Sequence, residues 1–60
     1  MKKVTLTINT TGAAFEDCGR PSLEVARILR ELANHFDAGC IPQGVRDNYG
    51  NTCGTCKVKG

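Results

Sequence analysis

The chain has 60 residues, with eight Lys or Arg against six Asp or Glu, a formal net charge of +2, and four cysteines. This length allows one domain, residues 1–60, near the lower limit for folding without a metal, disulfides or a partner subunit. The net charge is too small to indicate nucleic-acid binding by itself. It also argues against a DNA mimic, which would be strongly acidic.

The first predicted element is a half-buried strand over Lys3–Asn9, where polar and apolar residues alternate. Val4, Leu6 and Ile8 form its predicted core face, and the Lys and Thr side chains between them face solvent. Because the segment alternates instead of forming a continuous apolar run, we expect neither a signal peptide nor a membrane span. An intracellular location with reduced thiols follows as an expectation.

The segment Thr10–Arg20 is predicted to be a connection, because Gly12 and Gly19 place turn residues at both ends. Within it, Phe15 is the largest apolar residue. We expect Phe15 to fill one end of the core.

The segment Ser22–Phe36 has the clearest period in the chain and predicts an amphipathic helix. Pro21 suits its first turn, and Gly39 suits the left-handed residue that closes a helix. The predicted buried stripe comprises the apolar residues at three- and four-residue spacing: Val25, Ile28, Leu29, Leu32, Ala33 and Phe36. The predicted solvent side comprises the polar residues between them: Glu24, Arg27, Arg30, Glu31 and Asn34.

The last third of the chain predicts two strands, Val45–Asn48 and Thr52–Lys59, joined by a turn. In that turn Gly50 and the two flanking asparagines can adopt positive φ. The resulting order, β-α-β-β, predicts an α+β fold with one helix packed on a small three-stranded sheet. If the C-terminal strand lies in the middle, the sheet is fully antiparallel.

That strand order would bring four lysines to one corner, Lys2 and Lys3 beside Lys57 and Lys59. Such a patch could contact phosphate groups or an acidic partner. Solvated strand ends that discourage edge pairing explain the same lysines, and we favour this second interpretation.

The cysteines are the residues best suited to metal binding or redox chemistry. Cys53 and Cys56 form a C-x₂-C pair, a spacing with which two thiolates can bind one zinc ion. Cys18 and Cys40 would complete a four-ligand site, and His35 is a further candidate ligand. Two observations argue against a zinc site formed by these cysteines. The helix separates Cys18 from Cys40 by about 20 Å. Cys53 and Cys56 lie three residues apart, and residues at that spacing in a regular strand face opposite sides of the sheet.

Other interpretations of the thiols stay open. A redox C-x₂-C normally lies at a helix N-terminus, and only four residues follow Cys56. Free thiols that pack as small apolar groups are the simplest alternative. A Cys53–Cys56 or Cys18–Cys40 disulfide could form in an oxidised sample. Since no acid–base pair, activated nucleophile or phosphate loop is evident, we expect a protein that is not an enzyme and needs no cofactor.

Several segments together resemble a family of very small phage and prophage proteins: Ile8–Thr10, Gly12–Asp17, Glu24–Leu29, Arg46–Asp47 and Gly50–Thr52. The resemblance implies a helix on a small sheet and an aliphatic core position where Cys53 stands. It also implies an accessory gene product in the cytoplasm of a bacterial host. Such proteins commonly bind a host or phage macromolecule, including inhibitors of host defence of the anti-CRISPR type.

Two functional hypotheses follow. The first is a non-enzymatic module, monomeric or homodimeric, that binds a host or phage protein through the Arg27/Arg30/Glu31 helix face or through the turn that contains Tyr49. The second is a zinc-stabilised module that contacts nucleic acid through its four terminal lysines, and we consider it the weaker hypothesis.

Overall fold

The computed structural model describes residues 2–60, which form one helix-on-sheet unit. Its elements in chain order are β1 (Lys3–Ile8), α1 (Ala13–Asp17), α2 (Pro21–Asp37), β2 (Gly44–Arg46) and β3 (Thr52–Lys59). The main helix and the three antiparallel strands confirm the predicted α+β fold.

The C-terminal strand β3 lies in the middle of the sheet, in the order β1-β3-β2. Both of its neighbours are antiparallel to it, with Lys3 opposite Lys59 on one side and Gly44 opposite Thr55 on the other. A β-bulge interrupts the pairing with β2 between Val45 and Arg46. The predicted central position of the last strand is therefore confirmed.

A small apolar core joins both helices to the sheet. It consists of five buried side chains, drawn from all but the first strand: Phe15, Ile28, Leu32, Val45 and Cys56. Phe15 is fully buried, as its predicted core role requires. Since β1 contributes only the half-buried Ile8 at the margin of this cluster, the core lies towards the β3–β2 side of the sheet.

The segment before the main helix is more ordered than the sequence indicated. Residues predicted as a simple connection form the short helix α1, which begins after Gly12 and ends at Cys18. The reason is packing: α1 buries Ala14 and Phe15 against the core, and this burial stabilises a turn too short to be helical alone.

Helix α2 extends one residue beyond the predicted segment at each end. At its C-terminus Cys40 N–H donates to His35 C=O and Gly39 N–H donates to Phe36 C=O, a Schellman closure. Gly39 has φ +77°, as predicted.

The buried face of α2 is rotated from the predicted stripe. Glu24 is only 4% exposed, whereas Leu29 is 46% exposed and Ala33 lies at the surface. The prediction was wrong for these three residues because the buried face is the line Glu24, Ile28 and Leu32, on which Glu24 finds polar partners described below.

Strand β2 is shorter than predicted and ends early. It occupies Gly44–Arg46. Because β2 is antiparallel to β3 and begins only at Gly44, the C-terminal residues of β3, Lys57–Lys59, pair with β1 alone. We call Lys3–Leu6 of β1 with Lys57–Lys59 of β3 the open sheet end. There Val4 is 44% exposed, which contradicts the expectation that the helix would cover the whole apolar face of β1.

Candidate functional site

The segment that joins β2 to β3, Asp47–Asn51, carries the densest set of polar contacts in the structure, and we call it the Asp47 loop. Gly50 N–H donates to Asp47 C=O at 3.0 Å, and Asp47 N–H donates to Asn51 C=O at 2.9 Å. Gly50 has φ +83°, a conformation that favours glycine. The two asparagines keep negative φ, so only Gly50 uses the predicted left-handed conformation.

The Asp47 carboxylate fixes the loop from inside. Its Oδ1 accepts hydrogen bonds from the backbone N–H of Tyr49 at 2.9 Å and of Asn51 at 3.0 Å. The side chain is only 7% exposed. A carboxylate that caps two backbone donors in this way holds the loop in one conformation without help from a ligand.

Glu24 ties the same loop to helix α2. Its Oε2 accepts the backbone N–H of Asn48 at 2.6 Å, and Arg27 donates two hydrogen bonds to the Glu24 carboxylate, at 2.7 and 3.0 Å. The hydrogen bonds from Arg27 lower the pKa of the Glu24 carboxyl, the Asn48 N–H acts in the same direction, and burial opposes both. Glu24 is therefore ionised and fully partnered, which explains a charge inside the helix–sheet contact.

Tyr49 is held at its far end by helix α1. Its hydroxyl donates to Asp17 Oδ2 at 2.6 Å, while 53% of the residue remains exposed. The hydrogen bond to Asp17 raises the pKa of the Tyr49 hydroxyl, and desolvation adds to the effect. The Asp47 loop thus presents an aromatic ring whose backbone and hydroxyl are both fixed.

The helix face proposed from the sequence is only partly available. Arg27 is bonded to Glu24 and, at 2.7 Å, to Glu31, and its Nη2 reaches the Arg46 carbonyl at 3.5 Å. Arg30 and Glu31 lie at the surface. Arg27 therefore serves mainly to organise its own chain, and Arg30 is the free cation of that face.

The terminal lysines come together as predicted. Lys3 lies opposite Lys59, Lys57 lies opposite Thr5, and Lys2 N–H donates to Lys59 C=O at 2.8 Å. Within residues 2–60 the ion pairs are those of Arg27 with Glu24 and Glu31, so none of these lysines has an acidic partner in the described part of the chain.

The structure does not gather the four cysteines into one centre. All four are free thiols, with Cys40 exposed and Cys56 buried. Across residues 2–60, no three His, Cys, Asp or Glu side chains lie close enough to share a metal ion. Cys18 instead donates its thiol hydrogen to the carbonyl groups of Phe15 and Arg20, at 3.2 and 2.9 Å.

The C-x₂-C pair behaves as part of the core. Cys56 belongs to the buried cluster and Cys53 packs against it. The bulge in the pairing of β3 with β2 falls at Cys53, and a bulge relaxes the strict alternation that placed the two thiols on opposite faces. Desolvation raises the pKa of the Cys53 thiol, the opposite of the lowered pKa that activates catalytic cysteines.

The concave surfaces of the described residues include a small cavity and one broader trough. A cavity of about 150 Å³ between α2 and β2 includes His35 and Glu31 in its lining, which is below the roughly 300–1,000 Å³ typical of small-molecule sites. A broader trough of about 660 Å³ runs along Cys56–Lys59, where β3 extends past the start of β2. Its lining consists mostly of residues of β1 and β3 and includes three lysines, Lys3, Lys57 and Lys59.

Sequence reasoning missed the three carboxylates that build the loop site: Asp17, Glu24 and Asp47. For Asp47 a signal was present, since Asp at the first and Gly at the fourth position of a turn is a recognised pattern. For Glu24 the i,i+3 spacing to Arg27 indicates an ion pair but not burial. The contacts of Glu24 with Asn48 and of Asp17 with Tyr49 have no local signal, because these partners lie 24 and 32 residues away in the chain.

Comparisons with protein-family models, with curated proteins and with solved structures find no match for this chain. Neither of the helices in residues 2–60 has the length and hydrophobicity needed to cross a lipid bilayer.

Proposed function

We propose that this protein is a non-enzymatic binding module that engages a host or phage protein through the Asp47 loop, with Tyr49 as the central contact. One observation carries the proposal: two buried carboxylates fix the backbone of a loop whose aromatic side chain stays half exposed. Inhibition of a host system, as the resemblance to small phage proteins implies, is the mode of action we propose for it.

Preorganisation is the physical advantage of this loop. A flexible loop loses conformational freedom when it binds, and that loss weakens the complex. Here the hydrogen bonds of Glu24 and Asp47 have already removed much of that freedom in the free protein. A larger share of the binding energy from the exposed loop residues can therefore appear as affinity.

The exposed residues of the loop suit a protein partner. Tyrosine is among the residues enriched at the energetic centres of protein interfaces, because it offers a large rigid surface with one polar end. Asn48 and Asn51 flank it at the surface and supply adaptable hydrogen bonds. Arg30 on α2 is a further exposed group of the kind that interfaces use.

The proposal is tested by affinity capture from bacterial and phage-infected lysates, followed by reconstitution of the complex from purified components. We expect a stoichiometric complex with the wild type. Tyr49→Ala should weaken it at least tenfold, as loss of a central aromatic contact does, while Asn34→Ala, an exposed change on α2, should leave it unchanged.

A third variant distinguishes the effect of loop preorganisation on binding from the effect of direct contact with the partner. Glu24→Gln alters a buried residue and leaves the loop surface intact, so it should weaken the complex less than Tyr49→Ala and mainly slow association. A complex that forms equally well with Tyr49→Ala would overturn the proposed site. Failure of the wild type to form any specific complex would overturn the proposed function.

A further inference from the structure

We propose a second binding surface, separate from the Asp47 loop: the outer edge of β1 binds an extended segment of a partner protein in which acidic and apolar residues alternate. The segment would add a fourth strand to the sheet, beside the open sheet end. This inference goes beyond the proposed function, since it uses different residues and can fail while the loop site stands.

The backbone of β1 offers unused hydrogen-bonding groups. Asn9 N–H donates to Cys53 C=O, and the register from Lys3 opposite Lys59 to Ile8 opposite Gly54 continues this pairing without a bulge. Backbone groups of an antiparallel strand point alternately to either side, so Thr5 and Thr7 bond to β3 whereas Val4 and Leu6 point outwards. The outward groups form a template for another strand.

The side chains beside this edge differ between the two faces of the sheet, which are apolar on the helix side and polar on the other. Leu6 lies opposite Cys56, which is buried under the helices, so Leu6, Val4 and Val58 share the helix side of the sheet. All three are at least 36% exposed. The opposite face carries the lysines and threonines of both strands: Lys3, Thr5, Thr7, Thr55, Lys57 and Lys59. An added strand would therefore meet apolar groups on one face and cations on the other.

The positive charge of the strands favours an acidic segment as the added strand. The three strands contain no acidic residue, because the six acids lie in the helices or in the Asp47 loop: Glu16, Asp17, Glu24, Glu31, Asp37 and Asp47. Lys3 and Lys59 face each other directly, an arrangement that destabilises a sheet by itself. A second copy of β1 would add further lysines to the same face, whereas glutamate or aspartate on an added strand would neutralise them.

The size of the surface agrees with an uncovered region. The accessible area is 4318 Å², against about 3,800 Å² expected for a folded monomer of this mass. The molecule is also elongated, with extents of 36 × 18 × 17 Å. The excess over the expected area is roughly 500 Å².

The test uses a synthetic peptide with blocked ends, Glu-Val-Glu-Ile-Glu-Val, titrated into labelled protein and followed by NMR. We expect shift changes centred on the amides of Val4 and Leu6, and slowed hydrogen exchange at both. A matched peptide with lysine in place of glutamate should bind about tenfold more weakly, as expected for a few screened charge pairs. In the double variant Lys3→Glu with Lys57→Glu this preference should reverse.

Proline variants check the backbone contribution. Val4→Pro removes an outward N–H and is tolerated on an edge strand, so the protein should stay folded and bind the glutamate peptide at least fivefold more weakly. Thr5→Pro removes a ladder hydrogen bond and should unfold the sheet. Tyr49→Ala should leave peptide binding unchanged, which separates this surface from the loop site.

Three results would overturn the inference. The first is glutamate-peptide binding that is insensitive to Val4→Pro. The second is tighter binding of a short DNA duplex than of the peptide, with a steep salt dependence, which would assign the lysines to phosphate contacts. The third is a homodimer in analytical ultracentrifugation that hides the Val4 and Leu6 amides, which would assign the edge to a second copy.

Discussion

The two ends of the same sheet differ in strand pairing and in how far the helices cover them. Around Gly54 the strands are paired on both sides and covered by two helices, and the buried carboxylate of Glu24 links α2 to the Asp47 loop between β2 and β3. At the open sheet end β3 has one neighbour, and Val4 and Val58 remain exposed. The chain thus confines its stability to one end of the sheet and leaves binding groups at the other.

This division explains why so small a domain can keep unpaired lysines and an apolar surface. A domain of this size has little stability to lose, so it can tolerate unfavourable contacts only away from its core. Substitutions of the same chemical type should therefore differ sharply in effect between the two ends.

The largest contrast is expected between two glycines of the covered end, which differ in how closely strand backbone approaches them. A Cβ at Gly54 would lie inside contact distance of the Thr7 carbonyl group, whereas nothing lies within 4 Å of a Cβ at Gly44. Gly54→Ala must move strand backbone, and we expect a loss of about 3 kcal/mol or more in the free energy of unfolding. Gly44→Ala should change it by less than about 0.5 kcal/mol. Urea denaturation followed by circular dichroism measures both, and equal effects would contradict the described strand contact.

A pair of valines gives the next contrast. Val45 is 2% exposed in the core, and Val58 is 36% exposed at the open sheet end. Val45→Ala should cost roughly 2–3 kcal/mol because it leaves a cavity. Val58→Ala, with the same loss of strand propensity, should cost under about 1 kcal/mol. A larger cost at Val58 would mean that the open end is covered in solution.

Removing the charge of Glu24 should change the pH dependence of stability. The pKa of this carboxyl is lower in the folded protein than its usual 4.5, so its contribution is complete above about pH 4.5 and is lost as the pH falls through the folded-state value. Glu24→Gln should cost about 1.5 kcal/mol at pH 7 and nothing once the wild-type carboxyl is protonated. Parallel pH profiles of the two proteins would contradict the ion-pair account.

The smallest expected effect concerns Tyr49. Its hydroxyl pKa is raised by Asp17, and the bond to Asp17 is lost as the pH rises through that raised value. Because Tyr49 is the only tyrosine, the phenolate absorbance reports it alone. Asp17→Asn should bring the titration back towards the usual value near 10, while Asp37→Asn should not. An unchanged midpoint in Asp17→Asn would remove α1 from the loop site.

The fold was predictable because its signals are local. Alternation in β1, the helical period of α2 and the turn at Gly50 each lie within a few residues, and the β-α-β-β order then allows few arrangements. The lysine corner followed from strand order alone.

The loop site was not predictable, because it depends on contacts between distant segments. The apolar pattern placed Glu24 on the solvent side, and the buried carboxylate is satisfied there by Arg27 together with Asn48, which lies 24 residues away. The exposure of Leu29 and Val4 likewise depends on how the helix and the sheet pack together, which no residue of α2 or β1 indicates by itself.

The most direct test of the contrast between the two ends is amide hydrogen exchange of the free protein, resolved by residue. We expect slow exchange at Cys56, whose N–H donates to Gln43 C=O, and at Tyr49. Along β1 we expect alternation, with Thr5 and Thr7 protected and Val4 and Leu6 exchanging rapidly. Equal protection of Val4 and Thr5 would show that the outer edge of β1 is already covered, and would contradict the account.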